Sequence, residues 1–451
     1  MPVLGLKFMK QKIDSAPFCS LACLLLLTGG CFLGFSARGA DSAAPPTPAT
    51  RGTNVLTLEG AVRLALEHNP ELRASRGRID AATGRAYQAK LWTNPELELS
   101  TEDGPVDSGR VISGAKQTIG VAQTIPFPGK KKLDGQIGVS NIRFSEAELS
   151  LRRVELVRDV KSGFYQVLAA ERLVAVASEL VKVAESSAAT ARKRVAAGAA
   201  ADQEQLRAEI PLEQARTELS GSQRELTTAR QNLALLLGRP DLADAPVAGE
   251  LAETADLTLL ERGLETWPTN HPSVLAARTS RNRAELEIRR ARLEPYPDVR
   301  LGVAGGREAV PDRESVVEFR LSLPLPIIDR SRGKKQEAQA NARIAEADLE
   351  AVEQRLLREW GVASTRLRTA VEQATNYRER ILPKANEALW LVQKGFEQGK
   401  FGFIDLLDTQ RTTAEARLAY QRKLLELNIA QAELESLAAG GIRFHPNPSQ
   451  P

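Results

Sequence analysis

Residues 315–324 read SVVEFRLSLP. In an extended chain Val317, Phe319, Leu321 and Leu323 fall on one face, and Glu318, Arg320 and Ser322 on the other. Such a strand needs a partner, and 297–305 alternates in the same way through Val299, Leu301 and Val303. In the first half of the chain, 95–101 and 117–125 alternate less cleanly. Gly/Asp-rich loops at 103–115 and 304–314 join each pair. The sequence therefore predicts two hairpins, about 95–126 and about 297–324, with strands of roughly 8–10 residues, near the length of a tilted bilayer-spanning strand.

The two hairpins belong to a longer repetition. HNPEL (68–72) is answered by NHPSV (270–274), and each proline, Pro70 and Pro272, has a second proline 25 residues on, Pro95 and Pro297. IPFP (125–128) maps to LPLP (323–326), EAEL (146–149) to EADL (346–349), and Gly198 to Gly399. The offset drifts only between 198 and 202. An ordered series at one period is the mark of a duplication. The expected organisation is a first repeat over 55–240 and a second over 258–439, each running helix, hairpin, long helix, short break, helix.

In both halves the first helix is expected to start beside its proline, with Asn69 and Asn270 near the cap. A longer helix follows each hairpin, the first from about Phe144 to Ala197, roughly 80 Å at 1.5 Å per residue. Val160, Val167, Val174 and Val181 are spaced by seven, as are Leu212, Leu219, Leu226 and Leu233; Tyr420, Leu427 and Leu434 continue the pattern. Heptads imply helix-on-helix packing. The expected class is mainly α with a small β part.

Composition narrows the function. The 451 residues are 42% hydrophobic and 26% charged, which excludes a broadly disordered chain. The net charge of +4 is small for this length and no basic face carries interleaved aromatics, so nucleic acid is not an expected partner. Lys7, Lys10 and Lys12 precede the apolar run 20–35, which reads, with 1–40 as a whole, as a secretory signal segment. Two exits are open: lipidation at Cys31 in LTGGC, against which Phe32, Leu33 and Phe35 speak, or cleavage after ARGA (37–40). Cys19, Cys23 and Cys31 all lie in this segment, so the rest of the chain forms no disulfide of its own. Residues 41–54 read as a flexible leader and 440–451 as a loose tail.

An amphipathic four-stranded sheet cannot cross lipid alone, because its edges leave backbone groups unpaired. Several copies must close it, and three give a twelve-stranded barrel. At this point four stretches carry a family resemblance: LTLEGAVRLALEHNPELRAS (56–75), VAQTIPFPGKKK (121–132), RVAAGAAADQEQLRAE (194–209) and RERILPKANEALWLVQKGFEQGKFGFIDLLDTQ (378–410). They resemble the TolC-like outer-membrane efflux factors, and the second is most similar to the heavy-metal (cobalt-zinc-cadmium, CzcC-like) branch. The first-half break reads Gln203–Leu206 where an Asp-Val-Leu type run is common in the family. The resemblance covers about 55–438. It implies a homotrimer in the outer membrane of a Gram-negative bacterium, with a β-barrel in the lipid and an α-helical barrel in the periplasm. It further implies docking to a periplasmic adaptor and an inner-membrane pump of the resistance-nodulation-division type. The expected function is passive conduction of substrate, heavy-metal cations by the branch likeness. Export of drugs, peptides or proteins is the alternative, and a periplasmic coiled-coil adaptor or scaffold stands further off.

Few residues are singled out by their chemistry. Gly198 and Gly399 interrupt long helices at equivalent places, and the resemblance puts them at adaptor-docking tips. Asp202 follows the first break, and Asp405 and Asp408 the second; they are candidate entrance acids or helix-start acids. Lys130, Lys131 and Lys132 follow the first hairpin and Lys334 and Lys335 the second, as candidate cations at the membrane interface or as solvated turns. Soft-metal sites use Cys, Met and His, and none of these stands at helical spacing from His68, His271 or His445, so no metal site or cofactor is expected. Neither HExxH nor GxSxG occurs, and no enzymatic chemistry is expected.

Overall fold

The computed structural model describes residues 55–102, 116–258, 260, 270–308 and 314–438. The signal segment with Cys31, the leader, the first hairpin loop and the tail with His445 lie outside the described residues.

The chain enters on helix α1 (Leu58–His68), followed at once by α2 (Pro70–Lys90). Asn69 separates them. Its Oδ1 accepts from the N–H groups of Glu71 (2.8 Å) and Leu72 (3.3 Å), and Pro70 needs no partner at the first helical position. Its Nδ2 donates to the Leu236 carbonyl at 3.0 Å, tying the cap to a later helix. The helix of the second half, α5 (Pro272–Arg292), is capped by His271 and not by the expected Asn270. HNP has become NHP, so the residue before proline, the position that caps, has changed from asparagine to histidine.

The strands β1 (Glu96–Glu102), β2 (Lys116–Ile125), β3 (Val299–Glu308) and β4 (Glu314–Ser322) form one antiparallel sheet in that order. The pairing of β2 with β3 joins the two hairpins across the duplication. Strand β3 runs on through Glu308, so the second loop is shorter than 304–314. Where the strands end, the halves are stapled together. The Phe127 ring stacks on Tyr296 at 4.7 Å, and Asp298 Oδ1 accepts from Phe127 N (2.7 Å) and Lys130 Nζ (2.8 Å).

The helix after β2, α3 (Lys130–Ala196), has 67 residues, about 100 Å at 1.5 Å per residue. It starts well before the expected Phe144. Gly135 and Gly138 weaken local helix propensity, but they let α2 lie close: a Cβ on Gly138 would sit 2.8 Å from Ala86 Cα. Packing outweighs propensity here. In the second half α6 (Arg332–Asn376) passes through a π-helical turn (Tyr377–Ile381) into α7 (Leu382–Glu397). Pro383 lacks an N–H and its ring crowds the carbonyl four residues back; the wider turn relieves that clash without ending the helix. Each long helix turns back into a return helix, α4 (Asp202–Leu236) or α8 (Phe403–Ala438). Among the described residues no helix is long and apolar enough to cross a membrane.

Two cores hold the halves. Val160, Phe164, Val167 and Leu233 lead the first; Trp360, Leu367, Leu427 and Leu434 lead the second. The heptads drift off this seam. Val160 and Val167 are fully buried, but Val174 and Val181 are half-exposed and burial passes to Leu173 and Ala177. A straight helix of 3.6 residues per turn rotates a seven-residue stripe by about 20° per heptad. The segment between the halves is stapled to α8 by Asn428, buried, which accepts from Ala252 N and donates to Ala252 O, both at 3.0 Å.

Candidate functional site

The sheet has two chemically opposite faces. Leu97, Val121, Val303 and Phe319 pair in one row across all four strands. This row is exposed, Phe319 by 82%. Leu99, Ile119, Val317 and Leu321 extend the apolar band. So large a contiguous apolar patch marks a surface that meets something other than water.

The next row on the other face runs Glu98, Gly120, Ala304, Glu318. The central strands β2 and β3 carry Gly120, Ala122, Gly302, Ala304 and Gly306 here. Gly120 and Gly306 are small by necessity, since a Cβ on Gly120 would lie 2.6 Å from Ala304 Cβ and one on Gly306 would run into the Gln117 carbonyl. The outer strands carry long charged side chains over the trough so formed. Arg320 of β4 reaches Glu98 of β1 at 3.2 Å, with two strands between them, and Glu318 at 2.8 Å. Arg300 bonds Glu98 and lies 2.7 Å from Glu96, and Lys116 lies 2.6 Å from Glu318. Opposite charges this close leave a polar, water-compatible surface. The alternation of ELELSTE (96–102) held the signal for Glu96 and Glu98, but nothing local shows that their partners lie some 200 residues away. Among the described residues, no strand pairs with the outer edge of β1 or of β4.

The helical breaks lie at the far end of the long helices. After α3, Gly198 N donates to Val195 O (2.9 Å) and Ala199 N to Arg194 O (2.8 Å); after α7, Gly399 N donates to Phe396 O (3.0 Å) and Lys400 N to Gly395 O (2.7 Å). Both turns are Schellman caps, and the glycines have φ of 68° and 71°. The turns share one small core of Ala188, Ala191, Ala208 and Leu212 with Phe403 and Leu406. The Arg194 guanidinium lies 5.7 Å over the Phe396 ring. Gln205 and Arg192 both donate to Glu209 at 3.0 Å and hold its carboxyl below the usual range.

The acids near the tips differ in their ties. Asp405 Oδ2 accepts from Gly402 N at 2.9 Å, closing the start of α8. Asp408 makes an exposed pair with Arg411 at 2.9 Å, and Asp202 opens α4.

At the other end of the helices the lysines separate. Lys130 does not face outward as expected of an interface cation: it is buried, because Asp298 draws its ammonium inward across the joint between the halves. Burial would raise the Asp298 pKa, but the Lys130 ammonium and the Phe127 N–H outweigh it and hold the carboxyl below its usual range. Lys334 is exposed and pairs with Glu294 at 2.6 Å. Lys131 and Lys132 line a groove with Lys90 and Arg143. Lys335 has no acidic partner among the described residues.

The two described histidines serve helix termini, His68 the end of α1 and His271 the start of α5. His68 Nδ1 lies 3.2 Å from Leu64 O. His271 Nδ1 accepts from Ser273 N at 3.3 Å and lies 2.7 Å from Ser273 Oγ, so the ring proton belongs on Nε2. Burial lowers the His271 pKa to about 4.

A sheet with one lipid-compatible face, continuous with paired helices of this length, is the architecture of outer-membrane channels. The crystal structure of the Campylobacter jejuni CmeC outer membrane channel superposes with a TM-score of 0.70 over 94% of this chain and 95% of that one, at 14% identity. The chain belongs to the outer membrane efflux protein family, whose model matches it twice, over residues 61–239 and 266–440. The cobalt-zinc-cadmium resistance protein CzcC of Cupriavidus metallidurans is 30% identical over 81% of this chain and 85% of its own length. The nickel-cobalt-cadmium resistance protein NccC of Alcaligenes xylosoxydans xylosoxydans is 24% identical over 76% of this chain and 73% of its own.

Proposed function

We propose that three copies of this chain close their sheets into a twelve-stranded barrel in the outer membrane, above a periplasmic barrel made by the helices. The observation that carries this reading is the sheet itself: an exposed apolar face, a charged face opposite, and two free edges. Lipid takes the first face, the conduit the second, and a neighbouring copy each edge. The conduit is passive, and a periplasmic adaptor and an inner-membrane pump deliver its substrate. The turns at Gly198 and Gly399 form the end that meets the adaptor, and Asp202, Asp405 and Asp408 stand around the entrance. Heavy-metal cations are the substrate class, by likeness to CzcC and NccC. Mass measurement of the detergent-solubilised protein tests the assembly. A trimer that resists dissociation is expected; a monodisperse monomer with intact secondary structure would remove the channel reading. Loss of cobalt, zinc or cadmium resistance in cells lacking the chain, restored by the intact chain, tests the substrate class.

A further inference from the structure

The groove beside the start of α3 carries an unbalanced charge. Lys90 comes from the end of α2; Lys131, Lys132 and Arg143 come from the first four turns of α3. The groove has a volume of about 540 Å³, and Val139 and Leu286 give its lining an apolar part. Its build is specific. Gly135 sits under the stem of Lys90, whose Cγ would lie 3.0 Å from a Cβ at that position, so the absent side chain lets the lysine cross α3.

The cations around this groove have their acids. Lys130 has Asp298, Arg290 has Asp134 and Glu294, and Lys334 also has Glu294. Among the described residues, no acid pairs with Lys90, Lys131, Lys132 or Arg143. Four cations around one groove repel one another, and an anion bound among them would relieve that repulsion.

We propose that this groove binds the headgroup of an anionic phospholipid in the periplasmic leaflet, with the phosphate among Lys90, Lys131 and Lys132, next to the strand exit, and the rest of the headgroup running down α3 toward Val139, Leu286 and Arg143. The proposal rests on the outer-membrane reading above, since Lys131 and Lys132 follow the exit of β2 by only a few residues. The apolar lining favours a lipid over free phosphate, which would gain nothing from it. Phosphate suits clustered lysine and arginine through charge-assisted hydrogen bonds.

The experiment uses the full chain in detergent, with phosphatidylglycerol, phosphatidylcholine or inorganic phosphate added in separate arms, and native mass spectrometry as the readout. Phosphatidylglycerol should be retained at least tenfold more than phosphatidylcholine. The variant Lys90→Gln/Lys131→Gln/Lys132→Gln/Arg143→Gln should lose that preference, and Lys90→Arg/Lys131→Arg/Lys132→Arg should keep it. Circular dichroism of each variant checks the fold; if the fourfold variant misfolds, Lys132→Gln and Arg143→Gln, at exposed positions, should each lower retention severalfold. Equal retention in the glutamine variants, or equal binding of the two lipids, overturns the proposal. Displacement of phosphatidylglycerol by millimolar phosphate overturns the lipid and leaves a free-anion site. Fractionation of the same cells separates the two levels: absence from the outer membrane fails the underlying reading whatever the detergent arms show.

Discussion

His271 is a cap that titrates. Its ring is neutral in the folded chain because burial lowers the pKa from 6.5 to about 4. The unfolded chain then binds more protons between these values, so stability is full above about pH 6.5 and falls as pH drops toward 4. The loss over that window is about 3 kcal/mol at most. His271→Asn would install the residue that caps the first repeat, and should flatten the fall of the thermal midpoint between pH 6.5 and 4 while leaving the neutral-pH value nearly unchanged. An unaltered slope would remove His271 as its source. The residues that open the two long helices offer a second comparison. Gly129 and Ser331 both have positive φ, 93° and 53°, but only serine has a side chain to strain there. Ser331→Gly should therefore stabilise by roughly 1 kcal/mol, and Gly129→Ala should destabilise by a similar amount, read as opposite shifts of the denaturation midpoint.

Among the elements, glycine acts in two ways that a single test separates. Gly138 is a contact glycine, pressed against Ala86, and Gly138→Val should separate α2 from α3 at a cost of about 1–3 kcal/mol. Gly198 and Gly399 have nothing within 4 Å of an added Cβ, so Gly198→Val and Gly399→Val strain only the backbone. The tip variants should keep the assembly intact while efflux is lost; unchanged resistance in cells carrying both would exclude these turns from docking. The same contrast explains which elements were legible. Strand alternation, the repeated prolines and the Gly198/Gly399 breaks are local signals, and the strands and turns were readable from them. The first 14 residues of α3 were not, since GQIGVSN (135–141) looks like a weak helix until α2 is laid against it. The cap shift from Asn270 to His271 was hidden for the converse reason: histidine is a rare cap, and only geometry shows its Nδ1 accepting from Ser273.

At the scale of the whole molecule the candidate site is a matter of distant partners. Lys130 looked like one of three surface cations in a run, and Asp298, which buries it, lies in the other repeat. The candidate entrance acids have local partners instead: sequence marks Asp405 and Asp408, and structure separates a helix-start acid bonded to Gly402 from an exposed one paired with Arg411. A salt gradient across a planar bilayer distinguishes their roles. If they stand around the conduit, Asp405→Asn with Asp408→Asn should lower cation-over-anion selectivity and weaken block by multivalent cations. If they only close helix α8, reversal potentials should stay fixed and Asp405→Asn alone should cost about 1 kcal/mol of stability. The two open edges of the sheet, β1 and β4, carry a consequence for inheritance. They come from opposite ends of the duplication, so if copies close a ring as proposed, it closes only by joining unlike edges of successive copies, and every copy is needed for every ring. A proline placed mid-way in β4 spoils one seam while leaving that copy's other edge able to recruit. Expressed beside the intact allele, such a chain should be dominant, poisoning most assemblies it enters, whereas a null allele should be recessive.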